Sequence, residues 1–291
     1  MFQGVYTALV TPFNDDGSVD EGALRNLVDL QVDAGVQGIV PMGTTGESPT
    51  VTHEENVRVV EVVADQAKGR LAIIAGTGSN STDEAVRMTR LAQDVGATAS
   101  LQVTPYYNKP TQEGLYRHFT TIADSTELPI MVYNIQGRTA CNVETDTMLR
   151  LASHPRIVAV KEASGSMAQV MELISVRPER LAVLSGDDNL TLPIMALGGE
   201  GVVSVASNIA PRMMGRLVHA ILGGRLDDAR ELHYQLLPLF RCVFLRTNPI
   251  PIKYALAARK LIREAYRLPL CPLDESDRKR VDAVLEQVQP E

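Results

Sequence analysis

Apolar positions along the chain fall into two alternating patterns. Eight short runs are almost continuously apolar: "GVYTALVTPF" (4–13), "GIVPMG" (38–43), "LAIIAGTG" (71–78), "ASLQVTP" (99–105), "PIMVYNI" (129–135), "IVAVKEAS" (157–164), "LAVLSGDD" (181–188) and "GVVSVASN" (201–208). Runs of this kind predict strands buried on both faces. Between them, stretches such as "DEGALRNLVDLQVDAG" and "HEENVRVVEVVADQAKG" carry apolar residues at helical spacing and close on glycine, which helix C-termini favour. In "STDEAVRMTRLAQDVG" the spacing of Ser81 and Glu84 predicts a capping box. Strand and helix alternating in units of about 30 residues predict a parallel sheet with right-handed crossovers. Eight units within about 220 residues predict a closed (β/α)8 TIM barrel. An open doubly wound sheet would want an early GxGxxG turn, and the sequence has none there.

After "PRMMGRLVHAILGG" (211–224) the strand pattern stops. The barrel is therefore assigned to residues 1–224 and a three-helix region to 225–291, through "RLDDARELHYQLLPLFRCVF", "NPIPIKYALAARKLI" and "DESDRKRVDAVLEQV". This region is expected to pack on the barrel and to serve assembly rather than chemistry.

Composition narrows the function. A hydrophobic content of 45% against 22% charged residues is enough for a large core. A net charge of -7 argues against nucleic acid as the main partner, because phosphate binding needs a basic face. The apolar runs are too short to span a membrane, and "MFQGVYTALVTPF" lacks a basic region followed by a cleavage site. Cys141, Cys242 and Cys271 are far apart and form no CxxC pair, which predicts reduced thiols in a cytoplasm. His53, His118, His154, His219 and His233 show no metal-ligand spacing, so no metal is expected, and no cofactor is assigned.

The polar groups gather where the strands end, which in such a barrel is the site-forming face. There the chain reads "GTTGES" (43–48), "TPYYN" (104–108), "YN" (133–134), "KEASG" (161–165) and "SGDD" (185–188). Alternation puts Lys161 on one face with Ala159 and Ile157, and Tyr133 with Met131. If both faces look into the barrel, Lys161 and Tyr133 are neighbours. Burial disfavours an ammonium, so the Lys161 pKa should fall and leave an amine able to form a Schiff base. The alternative is a structural lysine paired with a carboxylate; Glu162, pointing the other way, is poorly placed for that. "GTTGES" is a turn whose N–H groups and hydroxyls could hold an anion, or merely cap the following helix. Asp187 and Asp188 receive no catalytic role, Asp188 being read as a helix cap.

Taken in order, "GTTGES", "PYYN", "YNIQGRT", "KEASG", "SGDD" and "TNPIPIKYAL" (247–256) resemble the dihydrodipicolinate synthases of the pyruvate-dependent class I aldolase superfamily, over nearly the whole chain. The resemblance implies a lyase that joins pyruvate to L-aspartate 4-semialdehyde in lysine biosynthesis. It makes Lys161 the Schiff-base lysine, Tyr133 the general acid/base, and Thr44 with Tyr107 its relay partners, Tyr107 coming from a neighbouring subunit. It makes Thr45 the holder of the pyruvate carboxylate, Arg138 the grip on the semialdehyde carboxylate, and Gly186 and Val203 pocket-lining residues. It also implies a homotetramer built as a dimer of dimers, and L-lysine as an effector held by Ser48, His53, Asn80, Glu84 and Tyr106. Two positions depart from the family pattern. Gln136 stands where proline is usual, and Asn56 where lysine-sensitive members often have histidine. A lyase for a 2-keto-3-deoxy sugar acid and a non-catalytic carboxylate-sensing barrel are the competing readings, and Arg138 is the residue that favours the synthase over the former.

Overall fold

The computed structural model describes residues 2–288; Met1 and residues 289–291, the outer ends of the two assigned regions, lie outside the described residues. Each apolar run contains one strand: β1 Gly4–Ala8, β2 Gly38–Val40, β3 Ala72–Gly76, β4 Ala99–Val103, β5 Ile130–Asn134, β6 Ile157–Glu162, β7 Ala182–Ser185 and β8 Gly201–Ser204. They pair in sequence order, all parallel, and β1 closes on β8 through the register Tyr6 opposite Val203. The result is a (β/α)8 barrel. Both faces of its wall are apolar, as strands sandwiched between a filled lumen and an outer helical layer require. Tyr6, Ile74, Leu101, Met131, Leu184 and Val203 pack inside it. Val132, Val160 and Val183 face the helices.

One facing differs from simple alternation. Ile157 packs with the outer set, beside Ile130 and Val132, while Ala159 belongs to the lumen. The register shifts between Ile130 and Met131, so Ile157 and Ala159 oppose consecutive residues of β5 and Val158 is the extra residue of a bulge. Beyond the bulge the strands run evenly, and Tyr133 meets Lys161.

Helix ends follow local chemistry. Asp20 caps Glu21–Ala34 by accepting from the Ala23 N–H, and Gly35 ends it at φ 72°. A capping box does form, but at Thr52 and Glu55. Ser81 makes no side-chain cap for Thr82–Asp94, and the Glu84 carboxylate turns instead to Ser79 and His53.

The C-terminal helices Leu226–Cys242, Ile250–Ala258 and Glu275–Gln287 occupy the three predicted stretches. The middle one is nearly all apolar and buried, and carries one charge inward, Lys253. Its Nζ lies 2.5 Å from Glu47 Oε1, with both side chains 0% exposed. Removing one partner of such a pair strands a buried charge and costs about 3–5 kcal/mol. Glu47 sits in the "GTTGES" loop at φ 56°, ψ 33°, a left-handed conformation that a side chain adopts only when its surroundings hold it there. The region packs on the barrel and also reaches the strand-end face. It fastens the loop after β2.

Candidate active site

Lys161 and Tyr133 project into the barrel from adjacent strands. The Lys161 Nζ stands 4.1 Å from the centre of the Tyr133 ring, and the lysine is 6% exposed. Burial lowers the Lys161 pKa to about 7; the Asp188 carboxyl works against that, and the Arg138 guanidinium reinforces it. A substantial share of the amine is therefore neutral near pH 7, which is what nucleophilic attack on a carbonyl needs. Burial pushes the Tyr133 phenol up to about 12, against the opposing influences of Arg138 and a hydrogen bond with Thr44. Tyr133 keeps its proton at neutral pH and has it to donate.

Thr44 and Thr45 open the turn after β2, Thr44–Gly46. Thr44 lines a cavity of about 390 Å³ together with Tyr133, Ile135 and Arg138. Thr45 is buried, and its Oγ1 accepts a hydrogen bond of 2.9 Å from Asn248 Nδ2. Gly46 holds the other side: its carbonyl accepts from the Thr11 hydroxyl at 2.7 Å.

Gly186 follows β7, and its N–H donates to the Glu162 carbonyl at 2.7 Å. A Cβ there would lie 3.0 Å from Lys161 Cγ and 3.1 Å from Cε, so the missing side chain is the space the lysine occupies. Val203 is buried in the lumen on β8. Asp188 is a cap, but of a different turn. Its Oδ2 accepts from the Val205 and Ala206 N–H groups, 3.0 Å each, at the start of the turn Ala206–Asn208.

Arg138 rides on a single helical turn, Gln136–Thr139, and its N–H donates to the Ile135 carbonyl. Gln136 begins that turn, a position that needs no intrahelical N–H donation, so glutamine and proline are both compatible with it. Thr139 anchors the turn from behind, where Thr104 donates to its hydroxyl at 3.0 Å.

After β4 the two tyrosines part company. Tyr106 lines the cavity, while Tyr107 turns away at φ 74° and is 90% exposed. The structure brings Ser48, His53, Glu84 and Tyr106 into the same cavity as Thr44, Tyr133 and Arg138. Asn80 is not among its lining residues; it donates instead to the Tyr106 carbonyl at 3.1 Å. Glu84 accepts from Ser79 and from His53 Nε2, and these bonds hold its carboxyl below the usual range, the Ser79 bond first. Arg87 reaches the other His53 nitrogen at 2.8 Å. A neutral imidazole satisfies both contacts.

Two supporting features escaped sequence reasoning. On the outer face, directly behind Tyr133 and Lys161, Asn134 donates to Glu162 at 3.2 Å and to Asn142 at 2.9 Å, while Glu162 accepts from the Ser164 N–H. Two polar residues at the ends of apolar strands were the available signal. Asn248 was the other, in the quoted "TNPIPIKYAL", where no local pattern marks it as reaching Thr45 across 203 residues.

A closed parallel barrel with a desolvated lysine near the end of its sixth strand, over a tyrosine of the fifth, defines the class of barrels equipped for Schiff-base chemistry. Within that class the chain belongs to the dihydrodipicolinate synthetase family, which matches residues 1–288. It is 50% identical over 286 residues to the 4-hydroxy-tetrahydrodipicolinate synthase of Chloroherpeton thalassium, across 98% of this chain and 95% of that protein. The solved dihydrodipicolinate synthase from Aquifex aeolicus superposes with a TM-score of 0.97 at 47% identity, over 98% of each chain. DHDPS from Cyanidioschyzon merolae, solved with lysine bound, gives 0.96 at 40% identity, again over 98% of each chain.

Proposed function

We infer that this chain is a lyase of lysine biosynthesis that condenses pyruvate with L-aspartate 4-semialdehyde to give 4-hydroxy-tetrahydrodipicolinate. The observation that carries the reading is the desolvated Lys161 amine over the Tyr133 ring. The amine adds to the pyruvate ketone, and loss of water leaves an imine. Loss of a methyl proton turns the imine into an enamine, whose terminal carbon attacks the aldehyde and leaves a hydroxyl on the new carbon chain. The substrate's own amine then displaces Lys161 and closes the six-membered ring. Each step moves a proton, and Tyr133 with Thr44 is the pair able to pass it. Thr45 holds the pyruvate carboxylate, and Arg138 meets the semialdehyde carboxylate at the cavity wall. Gly186 and Val203 shape the floor.

The active form in this reading is a homotetramer, two tight dimers in which Tyr107 enters the neighbouring subunit's relay. Its large exposed ring supports that assignment. L-lysine acts as an effector in the part of the cavity that holds Ser48, His53, Glu84 and Tyr106, with Asn80 bracing Tyr106. Among the described residues no helix is long and apolar enough to cross a membrane. Three free cysteines fit a reducing cytoplasm.

The decisive experiment is borohydride reduction in the presence of pyruvate, followed by an aldehyde panel. A single reduced pyruvyl group on Lys161, and turnover with L-aspartate 4-semialdehyde, are expected. An adduct on another lysine overturns the mechanism. Faster cleavage of a 2-keto-3-deoxy sugar acid overturns the substrate assignment.

A further inference from the structure

The C-terminal region enters the site at one hydroxyl. Asn248 Nδ2 donates to Thr45 Oγ1 at 2.9 Å, with both residues buried. A threonine hydroxyl has one hydrogen and two lone pairs. Asn248 occupies a lone pair, and among the described residues Thr45 Oγ1 has no other hydrogen-bond partner. Its hydrogen is left for an acceptor that arrives with the substrate. The reversed amide would do the opposite, drawing the Thr45 hydrogen onto Asn248 Oδ1 and withholding it from an anion. Asn248 Oδ1 is itself buried without a partner.

The placement of Asn248 is fixed by the helix that follows it. Ile250–Ala258 is fastened through Lys253 to Glu47, two residues beyond Thr45 on the same loop. The two contacts bracket Gly46, so neither the loop nor the amide can shift without the other. The bond itself crosses the whole barrel sequence, yet it ends on the residue that the proposed function assigns to the pyruvate carboxylate.

We propose that Asn248 is a positioning residue for pyruvate, orienting the Thr45 hydroxyl as a donor toward the substrate carboxylate. The proposal rests on the reading of Thr45 given above. It acts on one substrate only, because Arg138, on the turn after β5, receives the second carboxylate in that reading without it.

The test is steady-state kinetics on the full chain with Asn248→Ala, Asn248→Asp, Thr45→Val and the Thr45→Val/Asn248→Ala double variant. Asn248→Ala is expected to raise KM for pyruvate roughly tenfold, the worth of a hydrogen bond to a charged group. Its kcat at saturating pyruvate and its KM for the semialdehyde should stay close to the parent values. Asn248→Asp keeps the shape but only accepts, so it should raise KM for pyruvate further than Asn248→Ala does. In the Thr45→Val background, Asn248→Ala should add nothing, since the two residues act as one unit. Additive losses in the double variant, or equal losses in kcat and in both KM values, would mean that Asn248 is only structural and would overturn the proposal. An unchanged KM for pyruvate in Asn248→Ala, with a raised one in Thr45→Val, also overturns it. A Thr45→Val variant with unchanged KM for pyruvate instead refutes the role of the Thr45 hydroxyl toward the carboxylate, on which the proposal stands.

Discussion

Tyr133 and Lys161 stand opposite each other in register on neighbouring strands, and the next pair in that register, Asn134 and Glu162, is joined on the far side of the wall. The reacting pair and its brace thus share two peptide steps. A change in strand spacing that moved one pair would move the other. The bulge at Val158 lies on the opposite side of this register from the site and leaves it undisturbed.

The lowered Lys161 pKa makes a pH prediction. Below about pH 7 the amine is protonated and cannot attack; above it the amine is free. The rate of pyruvate trapping should therefore rise through about pH 7 and level off. The unfolded chain keeps the ordinary lysine value of 10.5, so between these two values it binds more protons than the folded chain. Stability contributed by this group therefore rises with pH across that window. Lys161→Met should abolish trapping and flatten this part of the stability profile. A trapping midpoint near the ordinary lysine value would refute the desolvated amine.

Gly186→Ala should impair chemistry while leaving the barrel folded. The added methyl carbon would meet Ala163 Cβ at 2.8 Å and Lys161 Cγ at 3.0 Å, and the lysine stem is the group able to yield. A displacement of that order costs roughly a hundredfold in kcat. Circular dichroism alongside the assay separates this from unfolding. Full activity in the variant would mean that Gly186 does not set the position of the lysine.

Arg138→Ala should raise KM for the semialdehyde by roughly ten- to a hundredfold, the loss of a charge-assisted contact. Pyruvate imine formation, followed by trapping in the absence of aldehyde, should persist. Arg138 also presses the Lys161 pKa downward, so the trapping midpoint of the variant should move up. An unaltered semialdehyde dependence would remove Arg138 from the substrate site.

Assembly is the next expectation. Tyr107 is exposed and held at φ 74°, so its ring has no place in its own cavity. Tyr107→Phe should lower kcat with little change in stability, while sedimentation gives a tetramer for both proteins. A fully active monomer at assay concentration would overturn the shared relay.

L-lysine should lower the initial rate partially at fixed substrate levels, a coupling of about 1–3 kcal/mol. Glu84→Thr should abolish the response, because in the proposed effector site this carboxylate is the group available to an ammonium. It also releases Ser79 and His53, so thermal melting of the variant should be recorded beside the assay. A flat response of the parent protein up to millimolar lysine would make these residues structural.

Much of the architecture was legible because its signals are local. Unbroken Val, Ile and Ala runs located all eight strands, and a lysine ending one of them drew attention to β6. The pairing of Lys161 with Tyr133 followed from the two-residue period of a strand. Ile157 was misplaced for the same reason, since a period assumes an even register and the bulge breaks it. The Ser81 and Glu84 spacing predicted a box that did not form. A carboxylate goes to its strongest donors; Ser79 competes from five residues upstream, and His53 is brought to Glu84 by tertiary folding. Asn248 and Lys253 were invisible as site residues, because their partners lie more than 200 residues away and no periodicity connects them.

The bond between Lys253 and Glu47 has a consequence for synthesis on the ribosome. Its partners are 206 residues apart, so the loop after the second strand lacks this ion pair while the rest of the barrel is made. Until residue 253 is made, the Glu47 carboxylate has no Lys253 counter-charge. A chain that stops short of residue 253 therefore lacks the counter-charge of Glu47, and the loop that carries Thr45 depends for that contact on the last part of the protein to be made.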